Sequence, residues 1–165
     1  MKKIIIFGNS GSGKSTLAKK LCLKFNLAHL DLDSLAWLPI TPPQRKTLSE
    51  STKEILSFMK NNKGWVIEGC YSDLLQIPIE DSNELIFLNL PIEMCILNAK
   101  NRPWEAHKYD SKEAQDANLQ MLINWISQYE ERSDTFSKAA HMKLYKDYKG
   151  VKRILTDNFS DEFLN

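Results

Sequence analysis

The segment Gly8-Asn9-Ser10-Gly11-Ser12-Gly13-Lys14-Ser15-Thr16 holds three of the chain's six glycines and follows them with a lysine and two hydroxyl side chains. Its spacing is G-x-x-x-x-G-K-[ST]. Two glycines, a lysine and a Ser/Thr at those offsets arise by chance in a chain this long roughly once in 200. Such a loop can capture phosphate. Glycines reach the backbone angles of a tight concave turn and let anionic oxygens approach the N–H groups. A helix starting there adds its positive N-terminal end. Lys14 then reaches the β- and γ-phosphates as a point charge, the Ser15 hydroxyl ligates Mg²⁺, and Thr16 lies near the α-phosphate.

Further along, Asp31 and Asp33 form Asp-x-Asp. Two carboxylates that close repel one another, so the pair suits a cation or several donors. Asp31 is a candidate Mg²⁺ ligand. Asp33 is a candidate to accept a hydrogen bond from an acceptor hydroxyl or to act as its base, the bland alternative being a turn cap. Glu68 ends an otherwise apolar run, where a carboxylate needs a partner or a task, and Gly69 after it allows close approach of a ligand. Arg102 sits in the polar, aromatic stretch 101–112 and can neutralise charge on a transferring phosphoryl group. Lys100, His107, Lys108 and Arg132 are weaker candidates for that work. Arg45 can grip an acidic acceptor. Trp37, Trp104 and Tyr109 fall in loops and either wall an acceptor pocket or pack a lid. His29 and His141 have no evident partners. Met121, Leu122 and Trp125 read as core at helical spacing.

These residues need a scaffold. Ile4-Ile5-Ile6-Phe7 is an apolar, β-branched strand before the loop, and Leu17, Leu21 and Phe25 give helical spacing after it. Strands are predicted at 28–32, 65–69, 85–88 and 151–155. Helices are predicted over 47–61, from Pro91 to about 101, after 112, and over 133–148. Thr47 and Glu50 make a capping box for the first of these. Strands alternating with helices predict a parallel sheet covered on both faces, with ligands at the carboxyl ends of its strands. That places the glycine loop, Asp31–Asp33 and Glu68-Gly69 side by side.

Composition limits the rest. The 165 residues suit one domain spanning 1–165, with a lid at about 101–116. Net charge is +1, from 22 Lys+Arg against 21 Asp+Glu. That balance argues against a nucleic-acid-binding surface. The three cysteines show no zinc-ligand spacing. The short apolar run at 4–7 is no signal-peptide core, and no 18-residue apolar stretch follows. A soluble cytoplasmic protein with no membrane partner is expected.

Gly8–Thr16, Leu30-Asp31-Leu32-Asp33-Ser34-Leu35-Ala36-Trp37-Leu38-Pro39, Trp65-Val66-Ile67-Glu68-Gly69-Cys70-Tyr71 and Phe87-Leu88-Asn89-Leu90-Pro91 together resemble the small P-loop kinases of the adenylate kinase and shikimate kinase group. Within that group they look most like the topology-modulation and shikimate-kinase-like P-loop ATPases. The resemblance covers residues 1–100 well and the rest loosely. It implies a P-loop NTPase three-layer α/β/α fold, a five-stranded parallel sheet of order 2-3-1-4-5, and a helical lid. It implies ATP and Mg²⁺, with Asp31 near the metal and Asp33 on the acceptor. The chain departs from shikimate kinases in carrying Glu68-Gly69-Cys70 where they have a glycine triplet. Two activities follow. One is transfer of the ATP γ-phosphate to a small hydroxylated metabolite, with Lys14, Asp33 and Arg102 catalytic and with Asp33, Trp37, Arg45, Glu68 and Gly69 at the acceptor. The other is a nucleotide-binding regulator or weak ATPase without such an acceptor.

Overall fold

The computed structural model describes residues 1–164. Its sheet runs β2-β3-β1-β4-β5, all parallel. The strands are β1 (Lys3–Gly8), β2 (Ala28–Asp31), β3 (Trp65–Gly69), β4 (Glu84–Leu88) and β5 (Val151–Leu155). This is the expected order. The three inner strands read as near-continuous apolar runs because helices cover both faces.

Alternate side chains along each strand face opposite layers. Ile5, Phe7, Trp65, Ile67, Leu85 and Phe87 share one buried core with Ile55 of α2 (Leu48–Asn61), Leu74 and Leu75 of α3 (Ser72–Leu75) and Leu144 of α6 (Lys138–Asp147). Ile4, Ile6, Val66, Ile86 and Leu88 share the other with Leu17 and Leu21 of α1 (Lys14–Phe25), Cys95 and Ala99 of α4 (Ile92–Lys100) and Ile126 of α5 (Lys112–Ser127). The result is three layers, α/β/α.

Local chemistry sets the helix starts. Thr47 and Glu50 form the expected capping box. Ser111 accepts from the Ala114 N–H to start α5, and Ser137 accepts from the Ala140 N–H to start α6. The last cap moves the start of α6 from the predicted 133 to 138, with 128–137 in turns. Five residues of the expected lid, Lys112 to Asp116, are the opening of α5, leaving 101–111 as the irregular part. The α5 stripe also differs. Gln115 and Ile126 are buried, while Met121, read as core, is 68% exposed. The helix turns that position outward because α4 packs against its other face, where Ile126 joins the core. Among the described residues, no helix is long and apolar enough to cross a membrane.

Candidate active site

β1 ends at Gly8 and α1 begins at Lys14, so Gly8–Thr16 lies at the carboxyl edge of the central strand. Gly13 caps α1 with φ at 89° and offers no side chain to its free N–H groups. Gly11 has φ at 76°, and a Cβ there would collide with the Cys95 carbonyl oxygen. Both positions require glycine. Asn9 braces the loop by donating to the Ile126 carbonyl at 3.1 Å, and Asn98 donates to the Gly11 carbonyl at 2.9 Å. Lys14 Nζ folds across the loop to the Asn9 carbonyl at 2.8 Å. The Ser12 Oγ is buried without a hydrogen-bond partner. Ser10, Gly11, Gly13, Lys14, Ser15 and Thr16 all line a cleft of about 720 Å³.

The parallel register of β2 and β3 sets Asp31 beside Glu68. Glu68 is 1% exposed and accepts from Ser15 Oγ at 2.6 Å. His29 Nε2 stands 3.3 Å from the same carboxylate oxygen, which gives this histidine the partner its sequence neighbourhood did not reveal. Burial, then the charges of Glu68 and Asp33, push the Asp31 carboxyl up to about 6, against the pull of Lys108 and the Asp33 N–H. Asp31, not Asp33, is the turn cap: its Oδ1 accepts from the Asp33 N–H at 2.9 Å and opens the 3₁₀ turn Leu32–Ser34. The Asp33 side chain is thereby released to face the cleft, which it lines.

Tyr71 holds Asp33 in place. Its hydroxyl donates to Asp33 Oδ1 at 2.5 Å, and Trp37 Nε1 donates to the Tyr71 oxygen at 2.8 Å. Burial raises the Asp33 carboxyl, yet Lys108, the Tyr71 hydroxyl and Lys14 outweigh it and hold the group below the ordinary carboxylate range. Burial and the Asp33 charge keep the Tyr71 phenol far above its usual value, so it stays a donor. Cys70 also lines the cleft, but burial pushes its thiol to about 12, which leaves no thiolate for covalent chemistry.

The 101–111 segment closes over this arrangement. Arg102 lines the cleft and donates to Glu105 Oε2 at 3.0 Å. Lys108 Nζ lies 3.3 Å from Asp33 Oδ2, 3.9 Å from Asp31 and 4.0 Å from Glu105. The carboxylates raise its pKa against the effect of burial. Trp104, His107 and Tyr109 also line the cleft.

Three expected acceptor residues stand elsewhere. Arg45 is outside the lining residues: it donates to Asp73 at 3.0 Å and lies over the rings of Tyr71 and Phe136. Trp37 is likewise outside and acts on Tyr71. A Cβ on Gly69 would crowd Leu32 at 3.0 Å and Tyr71 at 3.1 Å, so packing explains this glycine rather than ligand approach. Arg132 stacks on Trp125 at 3.4 Å. His141 is buried between the Tyr129 hydroxyl at 2.7 Å and the Cys70 carbonyl at 2.8 Å, a structural post. Asn98, Asn158 and Phe159 also line the cleft, the last two from the tail after β5.

The residues fit a magnesium nucleotide. The uncapped α1 N–H groups and Lys14 suit phosphate oxygens. Among the described residues there is no cluster of three or more His, Cys, Asp or Glu side chains able to cage a metal ion. Ser15 and Asp31 are oxygen donors of the kind Mg²⁺ takes when substrate phosphates complete its shell.

No protein-family model matches the chain. The chain is similar to adenylate kinase of Prochlorococcus marinus strain NATL1A, 27% identical over 148 residues and covering 80% of each chain. The strain NATL2A adenylate kinase is 26% identical over 147 residues, again with 80% of each covered. Among solved structures, a sugar kinase from Janibacter sp. HTCC2649 superposes with a TM-score of 0.57 at 13% identity, covering 99% of this chain and 90% of that one. Deoxyadenosine kinase from M. mycoides with bound dATP gives 0.51 at 14% identity, covering 98% and 94%. The molecule has a kinase-like P-loop nucleotide-binding fold. Its sequence and fold are similar to those of small P-loop kinases, the group its glycine loop and Asp-x-Asp resemble.

Proposed function

We propose that the protein is a Mg²⁺-dependent phosphotransferase that moves the γ-phosphate of ATP to a hydroxyl of a small molecule. One observation carries this reading. Asp33, ionised and fixed by Tyr71, faces the same cleft as Lys14 and Ser15. A P-loop that only holds nucleotide has no need of an oriented carboxylate across the cleft. The adenylate kinase relatives and the kinase folds support it.

Transfer needs positioning and charge neutralisation more than covalent chemistry. The acceptor oxygen forms a bond to the γ-phosphorus while the bond from that phosphorus to the β,γ-bridging oxygen breaks, and ADP leaves. Asp33 accepts the hydroxyl's hydrogen bond and then its proton, which passes to water. Its depressed pKa makes it a stronger orienter than base. Lys14 and Arg102 offset charge on the phosphoryl oxygens. Ser15 and Asp31 would hold Mg²⁺, and Glu68 fixes the Ser15 hydroxyl. Bound Mg²⁺ neutralises phosphate charge. Residues 101–111 exclude water, which limits hydrolysis of ATP. ATP supply places this work in the cytoplasm.

The test combines γ-labelled ATP, Mg²⁺ and a cell metabolite extract, with the Lys14→Ala protein as control. Label in an organic product, seen only with the intact protein, is the expected result. Label released only as inorganic phosphate would favour a nucleotide-binding regulator with weak ATPase activity.

A further inference from the structure

Gln115, Leu119, Leu122 and Ile126 recur at i, i+4, i+7 and i+11, one face of α5. Ile126 is fully buried, and Leu119 and Leu122 pack against the same core. Gln115 heads this stripe and is 9% exposed. An apolar residue there would continue the stripe, whereas a buried amide is tolerated only with its hydrogen bonds made. Both ends of this amide go to the lid backbone. Its Oε1 accepts from the Glu105 N–H at 2.8 Å, and its Nε2 donates to the Pro103 carbonyl at 3.1 Å. Glu105 in turn organises the segment. Its carbonyl accepts from the N–H groups of Lys108 and Tyr109 at 2.9 and 3.0 Å. Its carboxylate accepts from Arg102 at 3.0 Å and stands 4.0 Å from Lys108 Nζ. Arg102, Glu105 and Lys108 line the cleft that holds Lys14, while Gln115 stands behind them in the helix.

We infer that Gln115 is a positioning residue for phosphoryl transfer: it clamps the lid at 103 and 105 and, through Glu105, aims Arg102 and Lys108 into the cleft. This deepens the phosphotransfer reading above and rests on it. A cation on a long side chain offsets developing charge best when its direction is fixed before the reaction. The clamp fixes the Glu105 backbone, and with it the place of the carboxylate that holds Arg102. A guanidinium carries five N–H donors, so the one spent on Glu105 leaves others for phosphoryl oxygens.

The experiment measures initial rates of label transfer from γ-labelled ATP into organic product. Cell metabolite extract is held fixed and ATP is varied, with Mg²⁺ and the full chain. Gln115→Met keeps the length of the side chain and loses both hydrogen bonds. It should lower the maximal rate about tenfold and leave the KM for ATP within about twofold. Gln115→Asn, polar but one methylene short of both partners, should lose rate in the same way and covers the case in which Gln115→Met does not fold. Glu105→Ala should give a similar loss. Adding either Gln115 change to Glu105→Ala should cost no more than about a further twofold, because Gln115 acts through Glu105. A residue that only holds the fold would multiply the two losses. Multiplied losses, or Gln115 variants with an unchanged maximal rate, overturn the inference and leave the phosphotransfer reading standing. No labelled product from the wild type overturns that reading, and the inference with it.

Discussion

At the phosphate end of the cleft, nine consecutive residues from Gly8 to Thr16 present backbone amides, a lysine and hydroxyls. At the acceptor end, Asp33, Tyr71 and Lys108 meet from segments as much as 75 residues apart. The first is local backbone geometry, which glycine positions determine. The second is side-chain geometry, which exists only once β2, β3 and the lid are assembled. Chemistry of the first kind tolerates little change in its own residues. Chemistry of the second kind can be retuned from a distance.

Separate substitutions at the two ends test this division most strongly. Lys14→Ala should reduce both ATP binding and transfer, the transfer rate by about 10²–10³-fold. Asp33→Asn should lower transfer by about 10²-fold while ATP binding stays unchanged. Calorimetric titration with ATP and product labelling measure the two quantities. If Asp33→Asn loses ATP binding as Lys14→Ala does, the ends are not independent.

The next effect is on stability and concerns the packing behind the acceptor end. Burial lowers the His141 pKa to about 4. An unfolded chain binds that proton near 6.5, so between these values the unfolded state holds more protons than the folded one. Stability therefore falls as pH drops from about 6.5 to about 4, by roughly 3 kcal/mol from this group. Urea unfolding of the wild type should show that slope, and His141→Gln should flatten it. An unchanged slope would mean the imidazole is not held neutral between Tyr129 and Cys70.

The smallest effect sharpens the account of positioning. Tyr71→Phe should slow transfer by about tenfold, the lower end of what one hydrogen bond to a carboxylate is worth. Trp37→Phe should do less. The double variant should be no slower than Tyr71→Phe, because Trp37 acts on Asp33 only through the Tyr71 hydroxyl. Additive losses would place Trp37 in direct touch with the acceptor.

The unequal legibility of the two ends has the same origin. The strand order, the Thr47–Glu50 cap and the glycine loop are written in runs of neighbouring residues, and the structure has them where the sequence indicates. Tyr71 was invisible as a partner of Asp33. Its position follows from the register Asp31↔Glu68, which brings the residues just beyond both strands to one edge. Arg45 looked free because nothing local to it names Asp73, 28 residues on, as its partner. Met121 and Leu122 share one helical spacing, and only the contact with α4 decides which of them faces in. His29 and His141 both seemed idle because the groups they meet, Glu68 and the Cys70 carbonyl, lie on a strand and a loop remote in sequence.

Lys108 already occupies the outer oxygen of Asp33. On the phosphotransfer reading, an arriving acceptor exchanges one donor for another there and gains little net attraction from the swap. Half-saturation then calls for a high acceptor concentration, and entry waits on the release of a lysine. Both partners are partly open to water, so dissolved ions weaken their hold as ionic strength rises. The pace of entry is thus coupled to the salt content of the surrounding solution as well as to the supply of acceptor.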